Sequence, residues 1–91
     1  MAEINCVHGY ASGQVQGVWY RDFVRRCALR YNASGWAKNL ADGRVEFRLF
    51  GSQADLLQLI ADLRTGPELS LVDDVVYQWH HAKAENGFRI L

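Results

Sequence analysis

The run Gly13-Gln14-Val15-Gln16-Gly17-Val18-Trp19-Tyr20-Arg21 has the residue types needed to hold an anion. Glycines stand at both ends of its tight part, and glycine permits positive φ and close backbone approach. Successive N–H groups can then turn inward around oxyanion oxygens. A helix is expected to begin at the end of the run, and its unpaired N–H groups and dipole add positive potential there. Arg21 adds a planar cation that can bind two phosphate oxygens at once. The chemistry on offer is an oxyanion or phosphate cradle. The plainer reading is a strand-to-helix loop with a solvated arginine, and Gly-x-x-x-Gly alone does not separate the two. The run has neither the Gly-Lys-Ser/Thr of a nucleotide P-loop nor the Gly-x-Gly-x-x-Gly of a dinucleotide site.

Hydrophobic spacing identifies the elements that must position this run. Residues 4–12 read as a strand, with Ile4, Cys6, His8 and Tyr10 in one phase and Val7 and Ala11 in the other; neither phase is cleanly apolar. Tyr20, Phe23, Val24, Cys27, Ala28 and Tyr31 recur as one helix face, with Asp22 and Arg26 paired on the outer side and Asn32 ending the helix. Residues 34–39 form a short second strand. Asp42-Gly43 supplies a hairpin turn, and Val45, Phe47 and Leu49 alternate with polar residues along a third strand. Ser52 caps a second helix on Leu56, Leu59, Ile60 and Leu63, which Gly66 and Pro67 stop. Residues 72–81 form a fourth strand around Val75, Tyr77 and Trp79, and Phe88–Ile90 can add a short terminal one.

The order is βαββαβ. It predicts an α+β two-layer sandwich, ferredoxin-like, with an antiparallel sheet in strand order 4-1-3-2. In a β–α–β unit the end of strand one, the start of helix one and the end of strand two share one edge of the sheet. Gly13–Val18, Arg21 and Asn39 therefore meet, across about two strand spacings, roughly 9–10 Å. The outcome is a site with inward N–H groups, a guanidinium and a carboxamide, and no obvious nucleophile or carboxylate base. Ester phosphates usually need a metal, a nucleophile or a general acid. Acyl phosphates expel a carboxylate, which departs without a proton, so positioning and charge stabilisation suffice.

Ninety-one residues make one domain, 1–91. A chain of this size buries roughly 64% of its extended surface, enough for one modest core without a staple. Ten basic and ten acidic residues cancel, which argues against a nucleic-acid partner. No apolar run is long enough to span a bilayer, and the N-terminus lacks the pattern of a signal peptide, so the expected location is the cytoplasm. Cys6 and Cys27 read as buried free thiols, and with three histidines they form no metal-ligand spacing. Neither a metal nor another cofactor is expected.

Two stretches resemble the signatures of the acylphosphatases. Gly13-x-Val15-Gln16-Gly17-Val18-x-Tyr20-Arg21 is similar to the first. Gly35-Trp36-Ala37-Lys38-Asn39-x-x-x-Gly43-x-Val45-x-x-x-x-x-Gly51 is similar to the second, with every required position filled. Ala11 departs from the family's preference for Leu, Ile or Val two residues before Gly13, and Trp19 is bulky at a position of variable size. The resemblance implies a metal-independent cytoplasmic hydrolase of small acyl phosphates, without cofactors, acting as a monomer. By position, Arg21 would bind the phosphoryl group and Asn39 orient the attacking water. Backbone N–H groups of Val15, Gln16, Gly17, Val18, Trp19 and Tyr20 would complete the cradle, which inorganic phosphate would enter competitively. Gln16 and Gly17 would shape the loop, and Lys38 would face solvent.

Two other readings compete: an idle phosphate sensor on the same cradle, and an RNA-binding sheet using Tyr10, Phe47, Phe50, Tyr77 and Trp79. The strand-three segment Arg44-Val-Glu-Phe-Arg-Leu-Phe is not the motif of RNA-recognition folds. Turnover of a synthetic acyl phosphate separates all three.

Overall fold

The computed structural model describes residues 5–17 and 19–91. Ile4, expected in the first strand, and Val18, expected in the cradle, lie outside the described residues. The elements run β1 (Asn5–Gln14), α1 (Tyr20–Arg30), β2 (Ser34–Asn39), β3 (Val45–Gly51), α2 (Gln53–Thr65), β4 (Leu71–His81) and β5 (Phe88–Ile90). The sheet order is β4-β1-β3-β2-β5. This is the ferredoxin-like α+β sandwich, with the expected order 4-1-3-2 extended by one strand. β5 lies parallel to β2, Gly35 opposite Phe88 and Ala37 opposite Ile90.

Cross-strand register decides which phase of β1 is the inner one. Val7, Gly9 and Ala11 stand opposite Leu49, Phe47 and Val45 of β3, and this face carries the helices. Tyr20, Val24, Cys27 and Ala28 of α1 close on it from one side, and Leu56, Leu59, Ile60 and Leu63 of α2 from the other. Each large apolar side chain so buried contributes about 1.5–3 kcal/mol relative to exposure. Cys6, His8 and Tyr10 point to the opposite face. Cys6 is nonetheless fully buried, and Arg48 Nε donates to its Sγ at 3.3 Å. His8 Nε2 lies 2.7 Å from Glu46 Oε2. Both cysteines are free thiols, and burial pushes the Cys27 thiol pKa up.

The local signals act where the sequence places them. Ser52 Oγ accepts from the Asp55 N–H at 3.2 Å, capping α2. The far end of α2 has a donor problem: Pro67 has no N–H to offer the Leu63 carbonyl. The buried Tyr20 hydroxyl supplies one instead, at 2.8 Å. One hydrogen bond thus ties the start of α1 to the end of α2. Asn32 ends α1 with φ 55°. On the outer side of α1, Asp22 meets Arg26 as expected, at 3.1 Å, and also Arg25 at 2.7 Å.

Two differences from the sequence reading bear on the site. β1 runs past its hydrophobic pattern: after a bulge between Ser12 and Gly13, Gly13 pairs with Val72 and Gln14 with Leu71. Gly13 has φ 113°, and a Cβ there would run into the Leu71 carbonyl oxygen. Gly13 is therefore a strand residue packed on β4, and the tight turn narrows to the residues after Gln14. Second, the five aromatics of the RNA reading do not share a face. Phe47, Tyr77 and Trp79 register with Gly9 and Val7 on the helix side, whereas Tyr10 and Phe50 lie on the other. Side chains alternate along a strand, so a stacking platform cannot use both sets.

Candidate functional site

The turn between β1 and α1 is shaped by backbone conformation and anchored by the Gln16 side chain. Gly17 has φ 73° with nothing near the position of a Cβ, so its requirement is conformational. Trp19, at the N-cap of α1, is also left-handed, with φ 63° and ψ 23°, and its carbonyl accepts from the Phe23 N–H at 3.0 Å. Gln16 Nε2 donates to the carbonyls of Leu40 at 2.7 Å and Arg44 at 2.9 Å. Those carbonyls belong to the β2–β3 turn, so Gln16 fastens the candidate cradle to the hairpin that follows Asn39. This is a loop-shaping contact, and it occupies the amide nitrogen.

Asn39 is the last residue of β2, opposite Val45 of β3. β3 separates it from β1, and the turn after β1 folds over that gap. Val15, Gly17, Trp19, Tyr20, Arg21 and Asn39 all line one cleft of about 490 Å³. Among the described residues expected in the cradle or site, Gln16 is absent from its wall. Asp22 and Ile90 also line it, and the sequence reading assigned neither to the site.

The polar groups on the wall are in unequal states. Asn39 Oδ1 is buried and accepts no hydrogen bond among the described residues. An asparagine in an Asx turn would bond its own backbone; this one does not. A buried acceptor without a donor is costly, about 1–3 kcal/mol, and such atoms in folded proteins call for an explanation. Arg21, in the first turn of α1, donates from Nη1 to the Leu91 carbonyl oxygen at 2.7 Å. That contact exists because β5 carries the chain back beside β2, where the Leu91 N–H donates to the Ala37 carbonyl at 2.9 Å. Asp22 is not placed as a base. The hydrogen bond from Arg25 holds its carboxyl below the usual carboxylate range, with Arg26 adding to the effect.

The missed groups differ in how they could have been found. Asp22 was already legible as a partner of Arg26, three residues from Arg25 as well. Ile90 lay in the expected terminal strand Phe88–Ile90, with Leu91 just beyond it, but that strand had no visible partner, so nothing in the sequence placed them at this edge. Among the described residues, no group of three or more His, Cys, Asp or Glu side chains is arranged to hold a metal ion. No helix among them is long and apolar enough to cross a membrane.

The arrangement juxtaposes a cation, a buried carbonyl acceptor and a strand-to-helix turn, and comparison with known proteins places it in a family. A model of the acylphosphatase family matches residues 7–90. An acylphosphatase of Dehalococcoides mccartyi is 42% identical over 89 residues, covering 96% of this chain and 98% of the relative. One of Hahella chejuensis is 46% identical over 69 residues, covering 76% of this chain and 73% of the relative. The structure of an acylphosphatase from Coxiella burnetii superposes with a TM-score of 0.93 at 32% identity, over 98% of this chain and 94% of that one. Agreement in sequence and in backbone over nearly the whole length leads to one assignment: this chain belongs to the acylphosphatase family.

Proposed function

We propose that this protein hydrolyses the carboxyl–phosphate bond of small acyl phosphates. In this reading Arg21 binds the phosphoryl oxygens, backbone N–H groups from Val15 to Tyr20 surround them, and Asn39 orients the attacking water. The water oxygen adds to phosphorus as the bond to the carboxylate oxygen breaks. The carboxylate leaves with that electron pair, and one water proton passes to a phosphate oxygen. A carboxylate is stable without a proton at neutral pH, so the leaving group needs no general acid. Charge stabilisation and orientation then carry the rate, and the reaction proceeds without a metal.

The observation that most supports this reading is Asn39 Oδ1, buried and without a donor among the described residues, on the wall of the same cleft as Arg21. A carboxamide oxygen can accept from a water while the guanidinium takes phosphoryl oxygens. The same reading takes residues 1–91 as one domain, active as a monomer in the cytoplasm, with inorganic phosphate as a competitive ligand.

The test is turnover of acetyl phosphate before and after exhaustive chelation. Activity that survives chelation and is inhibited competitively by phosphate is expected. Absence of turnover leaves the phosphate-sensor reading; activity lost on chelation and recovered with one added metal overturns the mechanism.

A further inference from the structure

A phosphoryl group and a water have few atoms, yet the cleft is about 490 Å³. That volume lies within the roughly 300–1,000 Å³ of sites that hold whole organic ligands. The remainder must take the acyl group, and its wall shows what kind. Trp19 lines the cleft and is 77% exposed, in a left-handed backbone conformation that a bulky residue adopts only at a cost. It caps α1 without the side-chain hydrogen bond that Ser, Thr, Asp or Asn would make there. No hydrogen bond of the indole to another described residue offsets this. Ile90, on β5, presents a second exposed apolar side chain to the same cleft at 42% exposure. An exposed indole and an exposed isoleucine thus line the same cleft as a guanidinium.

We propose that Trp19 and Ile90 form an acyl subsite that selects aromatic acyl phosphates over short aliphatic ones, with the indole stacking on the substrate ring. This inference rests on the proposed hydrolase reading and deepens it. A planar acyl group is matched by an indole face, and burying both removes apolar surface from water. An acetyl group has little apolar surface to bury against these side chains, so they add little to its binding. The effect belongs to the acyl half of the substrate, and the phosphoryl contacts are common to both classes.

The experiment compares kcat/KM for benzoyl phosphate and acetyl phosphate in the parent, Trp19→Ala, Trp19→Phe and Ile90→Ala. Intrinsic reactivities of the two substrates cancel when the ratio of one protein is divided by that of another. Trp19→Ala is expected to lower the benzoyl-to-acetyl ratio about fivefold or more, Trp19→Phe to restore much of it, and Ile90→Ala to lower it less. A readout of affinity, separate from the rate of the chemical step, is competitive inhibition by phenylphosphonate against inorganic phosphate: Trp19→Ala should weaken the first more than the second. Damage to the turn itself would depress both substrates and both inhibitors alike and leave the ratios unmoved. Unmoved ratios, with both substrates hydrolysed by the parent, overturn the acyl subsite alone. Hydrolysis of neither substrate by the parent overturns the hydrolase reading and the subsite together.

Discussion

Replacing Asn39 by alanine separates a residue kept for structure from one kept for chemistry. Asn39 Oδ1 is buried and has no donor among the described residues. Until a water donates to it, such an acceptor costs about 1–3 kcal/mol, a cost that alanine removes. Against this stand the lost packing of a small side chain and the position of Asn39 at the mouth of the β2–β3 hairpin. Those losses are on the order of 1–2 kcal/mol for a typical substitution. The two nearly cancel, so folding stability should change by less than about 1 kcal/mol, in either direction. Turnover should behave differently. Orientation of a nucleophile acts on the chemical step, and misplacement by an ångström can cost about a hundredfold. Asn39→Ala should therefore lower kcat about a hundredfold or more with phosphate inhibition nearly unchanged. Urea denaturation gives the stability, acetyl phosphate turnover the rate, and phosphate inhibition the ground-state affinity. A loss of more than about 2 kcal/mol in stability would make Asn39 a hairpin residue. A phosphate affinity that collapses in step with turnover would make it a binding residue, and the water-orienting role would be wrong.

Three further outcomes follow from particular contacts. Arg21→Ala should lower kcat/KM about a hundredfold or more and weaken phosphate inhibition as well, with Arg21→Lys a poor rescue because it lacks the planar fork; activity within about twofold of the parent would remove Arg21 from the mechanism. Tyr20→Phe leaves the Leu63 carbonyl without its donor and should destabilise the fold by about 1–3 kcal/mol in urea denaturation; an unchanged midpoint would show that solvent replaces the hydroxyl. Asp22 has its carboxyl pKa lowered first by the Arg25 hydrogen bond, so the stability it adds is complete above the ordinary carboxylate pKa, about 3.9, and is lost as pH falls through the lowered value. Asp22→Asn should cost less than about 1 kcal/mol at neutral pH, and that difference should vanish on acidification; a pH-independent difference would assign it to something other than ionisation.

What the sequence determines is what local physics determines. Helix faces appear as apolar residues three and four apart, and the stops at Asn32 and Gly66-Pro67 are matters of backbone conformation and missing donors. The hairpin at Asp42-Gly43 is equally local, with Gly43 at φ 96°. Connection length and handedness then restrict βαββαβ to few topologies, which is why the sequence alone brings Arg21 and Asn39 to one edge of the sheet. The inner phase of β1 was different. Val7 and Ala11 alternate with Cys6, His8 and Tyr10, and neither set is apolar enough to announce a core. Register against Phe47 and Leu49 decides it, and register is a property of two strands. The same holds for Gly13, whose positive φ is set by the closeness of β4, and for Gln16, whose amide finds carbonyls more than twenty residues away. β5 is the clearest case. Three residues carry too little pattern to name a partner strand, yet their pairing with β2 brings Ile90 to the cleft wall and the Leu91 carbonyl to Arg21. The spacing of residue types specified the polar groups that line the cleft, whereas only the three-dimensional return of the chain placed Ile90 beside them.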